Sequence, residues 1–157
     1  MKGVLLSDRT GSCLRPITHT GPKQVVPVAN KPVLEYVIED VKEAGITEIS
    51  IILGNKGREE IQDLLGDGSK YGVEITNIVQ GNPFGLAHAA GCARDFVGDD
   101  FVMYLGDNIL KSDGTDLVES FQAGDYGTGI ALQEVDNPQA FGIADVDETR
   151  YVTPEHA

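Results

Sequence analysis

The sequence has no tryptophan, two cysteines and three histidines, and its 12 basic residues face 25 acidic ones. Cys13 and Cys92 are too few for a disulfide framework, and neither belongs to a C-x-x-C pair, so metal-finger and redox readings lack support and a reducing cytoplasm is expected. His19, His88 and His156 make no metal-spaced pair and read as loop, helix-surface and tail residues. No apolar run approaches the roughly 20 residues that span a bilayer, and Lys2 to Leu6 is too short for the apolar core of a signal peptide. A soluble protein with no membrane partner is expected. The net charge of -13 repels a phosphodiester backbone over most of the surface, so nucleic acid is excluded as a partner. The acid excess is dispersed, as at Glu39-Asp40, Glu59-Glu60, Asp99-Asp100 and Asp145 to Glu148, and does not form a tail. Dispersed acid with few lysines suits a solvated surface, or adaptation to a high-salt cytoplasm in which folding is lost when salt is removed.

A chain of 157 residues is long enough to bury a core without staples, and a single α/β domain over residues 1–148 is expected, with an irregular tail at 149–157. Lys2 to Leu6 reads as a short strand, followed from Ser7 to Pro22 by a loop rich in Gly, Thr, Ser and Pro. Pro32 to Gly45 has Pro in the first turn, apolar residues at 34, 37, 38 and 41, and a terminal Gly, the pattern of an amphipathic helix. Thr47 to Leu53 is β-branched and apolar apart from Ser50, which suits a strand buried on both faces. A helix over 58–65, a strand over 73–79, a small-residue helix over 85–96 and a third buried strand over 100–105 follow. Residues 115–121 read as another helix and 127–135 as a further strand, with Phe141 to Val146 after it. Strands alternating with helices predict a Rossmann-like, mainly parallel sheet with helices on both faces. In such sheets ligands bind beyond the carboxyl ends of the strands, which singles out the loops after Leu6, Val79 and Leu105.

Those loops carry the informative residues. The first runs Leu6-Ser7-Asp8-Arg9-Thr10-Gly11-Ser12-Cys13-Leu14-Arg15-Pro16-Ile17-Thr18, and then Pro22-Lys23-Gln24-Val25-Val26-Pro27-Val28-Ala29-Asn30-Lys31-Pro32. The second is Gln80-Gly81-Asn82-Pro83-Phe84-Gly85-Leu86-Ala87, and the third Leu105-Gly106-Asp107-Asn108. Taken singly, Gln80 is a polar strand end, Lys23 a solvated lysine and Gly-Asp-Asn a common turn. Taken together, they resemble the sugar-1-phosphate nucleotidyltransferases, or nucleoside-diphosphate-sugar pyrophosphorylases, especially the glucose-1-phosphate thymidylyl- and uridylyltransferases. The family pattern is Leu-Ala-Gly-Gly-x-Gly-Thr-Arg-Leu-x-Pro-x-Thr, then Lys-x-x-x-Pro-Val-x-x-Lys-Pro, then Gln-x-x-Pro-x-Gly-Leu-Ala, then Gly-Asp-Asn or Gly-Asp-Val. The similarity runs from Lys2 to about Asp147, the N-terminal portion of the family pattern.

The resemblance implies the nucleotide-diphospho-sugar transferase fold and assigns roles residue by residue. Gly11, Ser12, Gln24, Gln80 and Gly85 would bind nucleotide, with Gln80 reading the base through an amide that both donates and accepts. Lys23 and Arg15 would steady the phosphates as catalytic cations, Asp107 would hold Mg²⁺ against phosphate oxygens, and Gly142 in Phe141-Gly142-Ile143-Ala144 would contact the sugar. The implied reaction transfers a nucleoside monophosphate from dTTP or UTP to a sugar-1-phosphate with release of pyrophosphate, in nucleotide-sugar supply. Self-association, or assembly with a full-length relative, is implied as well.

The first loop departs from the pattern. Asp8 and Arg9 replace the glycine pair that lets backbone N–H groups approach a triphosphate, and Cys13 replaces the arginine. Losing a charge-assisted hydrogen bond forfeits roughly 1.5–3 kcal/mol, and a carboxylate about 4 Å from a phosphate adds repulsion of roughly 1–4 kcal/mol. Neither the family's later Glu-Lys-Pro motif nor its second metal-binding aspartate is met in the sequence. Three readings follow: a nucleotidyltransferase, a non-catalytic nucleotide or nucleotide-sugar binding module, and a truncated inactive relative.

Overall fold

The computed structural model describes residues 1–7, 21–82, 84–111 and 114–147. In chain order these form β1 (Lys2–Ser7), a small hairpin of β2 (Pro27–Val28) and β3 (Lys31–Pro32), α1 (Val33–Glu43), β4 (Glu48–Leu53), α2 (Arg58–Leu65), β5 (Glu74–Val79), α3 (Leu86–Cys92), β6 (Phe101–Leu105) and α4 (Thr115–Ala123). The sheet β5-β4-β1-β6 is parallel at every pairing.

The pattern of the residues explains the layers. Because side chains alternate across a strand, Leu5, Ile49, Ile51, Leu53 and Ile75 meet α1 and α2 on one face. Val4, Leu6 and Ile52 meet Ala89, Ala93 and Val97, in and just after α3, on the other. Helix α1 buries Val33, Leu34, Val37, Ile38 and Val41, a stripe at helical spacing. Burying side chains of this size contributes about 1.5–3 kcal/mol each. Strand β4 is buried from Ile49 to Leu53, as its run of apolar residues apart from Ser50 predicts, and the Ser50 hydroxyl within it donates to the Gly3 carbonyl.

The connections produce a switch point. From β1 the chain steps through α1 to β4 and through α2 to β5, then returns through α3 to the far side of β1, where β6 pairs. The strand order thus reverses between β1 and β6, and in open sheets of this kind ligands bind beyond the carboxyl ends of the strands near such a point. The strands end level, with Ser7 opposite Leu53, Leu53 opposite Val79 and Leu6 opposite Leu105.

Three expectations need correction. The helix expected over 85–96 stops at Cys92, and residues 93–96 form turns in which Phe96 N–H donates to Ala93. Strand β6 is not buried, since Phe101 is 41% and Met103 47% exposed. It is the outermost strand among the described residues, and the packing that covers Val4 and Leu6 does not include Phe101 or Met103. The strand expected over 127–135 is extended coil with Ile130 and Leu132 exposed, and 141–146 contains a single bridge residue, Val146. A strand is defined by its partner, and among the described residues none pairs with this β-branched segment.

Candidate functional site

The carboxyl edge is built outward from β1. Gly106 N–H donates to the Leu6 carbonyl at 2.9 Å, extending the β6 pairing by one residue. A Cβ at Gly106 would lie 3.1 Å from that carbonyl and 3.2 Å from Leu34 Cδ1, so the glycine lets the end of β6 close against β1. Asn108 N–H then returns to the Leu105 carbonyl, and Asp107 is carried at the tip of the turn. On the opposite side of the sheet Gln80 N–H donates to the Leu53 carbonyl at 2.9 Å, continuing β5 beyond Val79 in the same way.

Between these ends lies the segment from Pro22 to Val26. It makes one tight turn, with Val25 N–H on the Pro22 carbonyl and Val26 N–H on the Lys23 carbonyl, and it packs against α1 and α2. Gly57, the residue before α2, has φ +72°, and a Cβ there would come within 2.6 Å of Pro22 Cγ. The start of α2 and the turn are thus fitted to each other. Lys23 and Gln24 are positioned by this packing, and Val33 N–H, just after the β2–β3 hairpin, donates back to the Val26 carbonyl. The hairpin tip is Ala29-Asn30, both at positive φ, which suits the twist of a two-residue turn. Beside it Lys31 pairs with Glu39, an interaction that raises the lysine's pKa.

Lys23 Nζ forms an ion pair with Asp107 Oδ2, each side chain 15% exposed. A pair so shielded feels a stronger field than one in bulk water. Gln24 is fully buried, with both its Oε1 and Nε2 unpartnered, and Ser7 Oγ and Gln80 Oε1 are buried and unpartnered as well. Native proteins satisfy the large majority of buried polar groups, and leaving one unmet costs about 1–3 kcal/mol. Three such side chains, together with the shielded ion pair, lie along the carboxyl edge of the sheet and offer unmet hydrogen-bonding groups there.

Of the residues singled out in the sequence, the fold brings Lys23, Gln24, Gln80 and Asp107 to this edge. Gly85 follows Gln80 at the start of α3, with φ +99° and open space where a Cβ would be. Gly142 lies in exposed coil with nothing within 4 Å of a Cβ built on it, and no described contact joins it to these residues. Gly11, Ser12 and Arg15, with Asp8, Arg9 and Cys13, lie outside the described residues, as do His19, His156 and the tail from 148. Two residues escaped the sequence reading. Ser7 looks like the start of a loop, and only the register shows it as the buried last residue of β1. His88 is indeed on the helix surface, yet its Nδ1 lies 2.7 Å from Gln80 Nε2, a pairing at a spacing of eight that no helical or strand period reveals.

Among the described residues no group of three His, Cys, Asp or Glu side chains could cage a metal. Magnesium is commonly held by one or two carboxylates together with substrate phosphates, so a single Asp107 carboxylate at this edge suits an ion that arrives with a nucleotide. Among the described residues no helix is long and apolar enough to cross a membrane.

Comparison with known proteins agrees with this geometry. The nucleotidyl transferase family model matches residues 2–154. The chain is 80% identical over 154 residues to the low-salt glycan biosynthesis nucleotidyltransferase Agl11 of Haloferax volcanii, covering 98% of this chain and 43% of that protein. It is 44% identical over 153 residues to a glucose-1-phosphate thymidylyltransferase of Streptomyces griseus, covering 97% and 43% respectively. A crystal structure from Bacillus anthracis, described as a glucose-1-phosphate thymidylyltransferase in complex with a sucrose, superposes with a TM-score of 0.89 at 39% identity, over 94% of this chain and 61% of that one. The chain thus spans less than half the length of those two curated relatives. A four-stranded parallel sheet with unmet polar side chains along its carboxyl edge, and a family match across nearly every residue, lead to one assignment: the chain belongs to the nucleotidyl transferase family, among proteins similar to the glucose-1-phosphate thymidylyltransferases.

Proposed function

We propose that the carboxyl edge of the sheet binds a pyrimidine nucleoside triphosphate, dTTP or UTP, as the donor half of a nucleotidyl transfer to a sugar-1-phosphate. The observation that carries this reading is the coincidence, at the carboxyl edge of the parallel sheet, of the Lys23–Asp107 ion pair with the unpartnered Ser7, Gln24 and Gln80 side chains. The names borne by the similar proteins support it.

In the reaction so read, an oxygen of the sugar phosphate attacks the α-phosphorus in line and forms the new P–O bond. The bond from the α-phosphorus to the bridging oxygen breaks, and pyrophosphate leaves with the electron pair. The chain's share is positioning and charge. Lys23 turns its ammonium from Asp107 to the phosphates, where it offsets negative charge. Asp107, released from that pair, is the residue that would hold Mg²⁺, which neutralises phosphate oxygens when bound. Gln80 contacts the base, Gly85 leaves room for the ring, and Gln24 donates and accepts from within the turn. Arg15, Gly11 and Ser12 complete the phosphate side and Gly142 the sugar side, on the strength of the sequence resemblance.

A second reading is a nucleotide or nucleotide-sugar binding module without turnover. Asp8, Arg9 and Cys13, where the family pattern has a glycine pair and an arginine, favour it. Exposed Phe101, Met103, Ile130, Leu132, Phe141 and Ile143 suit burial against further protein, whether a second copy or a full-length relative. Titration calorimetry with dTTP and UTP, with and without Mg²⁺, followed by a pyrophosphate-release assay with glucose-1-phosphate, separates the readings. Binding with turnover supports the enzyme and binding without it the module. Absence of binding refutes both.

A further inference from the structure

We propose that His88 fixes the orientation of the Gln80 carboxamide, so that the site presents an oxygen acceptor to the base and selects a pyrimidine with a ring N–H, uracil or thymine, over cytosine. This rests on the reading of the carboxyl edge as a nucleotide site.

A carboxamide is nearly symmetric in shape and opposite in function at its two ends. Rotated by half a turn, it offers donors where it had offered an acceptor. Gln80 is 2% exposed, and its Nε2 lies 2.7 Å from His88 Nδ1. With Nε2 donating, His88 Nδ1 is the bare ring nitrogen and Nε2 of the ring carries the hydrogen. That arrangement commits one amide hydrogen to the imidazole and leaves Gln80 Oε1 buried with no partner. Phe84 meets the ring edge-on at 5.2 Å and 90°. The backbone of Gln80 is tied to Leu53, so the amide pivots on a fixed strand end.

The unmet group is therefore an acceptor, and the ligand that satisfies it must bring a hydrogen. Uracil and thymine carry hydrogen on N3, while cytosine has a lone pair there. Cytosine at the same place would set acceptor against acceptor and leave Oε1 unmet. A site built to receive a ligand N–H discriminates strongly against an analogue without one, because its own polar group is then stranded. Were the amide free to turn, either base would find a complementary face and the discrimination would collapse.

Two substitutions separate this role from mere packing. His88→Leu keeps bulk on an exposed helix position and removes the acceptor. His88→Asp offers acceptors only, so it can still receive the Gln80 Nε2 hydrogen. The affinities of UTP and CTP are measured by titration for wild type and both variants, and the readout is their ratio. Effects on the triphosphate common to both ligands, including the added charge of aspartate, cancel in it. The expected result is a UTP preference of about tenfold or more in wild type, lost in His88→Leu and restored in His88→Asp. An unchanged ratio in His88→Leu overturns the proposal, and so does equal loss in both variants, which would assign the imidazole a structural role. A hydrogen-bond scalar coupling between Gln80 Nε2 and His88 Nδ1 in labelled wild-type protein is expected independently of any variant, and its absence also overturns the proposal. If wild type binds neither triphosphate, the nucleotide site itself is refuted and this inference with it. Binding with no preference between them refutes the inference alone.

Discussion

Lys23 and Asp107, 84 residues apart in the chain, are joined as an ion pair just beyond the carboxyl end of β6. Each is largely shielded from solvent, and each is the group that a phosphate–magnesium ligand would claim from the other. On the proposed reading, the pair is the resting arrangement that a nucleotide and its metal ion would open.

Asp107→Ala is expected to abolish the Mg²⁺-dependent part of nucleotide affinity while leaving measurable Mg²⁺-independent binding, because the Lys23 ammonium and the polar side chains of the carboxyl edge are retained. Lys23→Met should weaken binding by about tenfold or more with and without the ion, one charge-assisted hydrogen bond being worth roughly 1.5–3 kcal/mol. Titration of both variants checks this. Unaltered Mg²⁺ dependence in Asp107→Ala would remove the metal assignment.

Gly57→Ala places a methyl group against the Pro22 ring at a backbone conformation that alanine adopts poorly. A loss of about 1–3 kcal/mol in unfolding free energy is expected. Because Lys23 and Gln24 follow Pro22 directly, nucleotide affinity should fall too. Urea unfolding and titration on the same preparation test the link, and a destabilised protein with unchanged affinity would contradict it.

Tyr104 donates to Asp40 at 2.8 Å, clipping β6 to α1. Burial foremost, then the hydrogen bond and charge of Asp40, hold its hydroxyl well above its ordinary pKa of 10.0. The folded chain keeps that proton more tightly than the unfolded one, so this contribution is whole below about pH 10 and is lost as pH rises from there towards the raised folded value. Tyr71, held up by burial and by Glu35, acts in the same sense. Tyr104→Phe should cost about 0.5–1.5 kcal/mol at neutral pH. It should also make the alkaline decline of stability shallower without abolishing it. A decline as steep as that of wild type would count against the clip.

The triple change Asp8→Gly, Arg9→Gly and Cys13→Arg restores the family pattern in the first loop. It is expected to raise triphosphate affinity by about tenfold or more, through one recovered charge-assisted contact and one removed repulsion. If affinity does not improve, the altered loop is not what limits this site.

Much of the fold could be read directly because its signals are local and strong. Pro32, the stripe from Leu34 to Val41 and Gly45 mark α1 within a residue or two, and the Ile49–Leu53 run, interrupted only by Ser50, marks β4 as a central strand. The segment 127–135 carries the same β-branched composition and forms no strand, since composition states a preference and only a neighbouring strand can satisfy it. Strand β6 misleads similarly, because Phe101 and Met103 read as core while the packing that covers Val4 and Leu6 does not include them.

For the site, the loops that meet at the carboxyl edge were legible from strand order, and Lys23, Gln24, Gln80 and Asp107 fall there. The pairings among them were not. That Lys23 faces Asp107, or that His88 faces Gln80, depends on how far each loop folds back, and nothing in residue type or spacing encodes that. Ser7 shows the same limit, for a single residue of register separates a buried strand end from a loop serine.

The central claim is that the carboxyl edge receives a nucleotide, and mapping backbone amide chemical shifts during titration with UTP and Mg²⁺ tests it most directly. Shifts concentrated at Ser7, Lys23, Gln24, Gln80, Gly106 and Asp107 are predicted, with those at Gly106 and Asp107 reduced when Mg²⁺ is withheld. Saturable binding whose shifts fall elsewhere, or none at these six amides at saturating UTP, would contradict it.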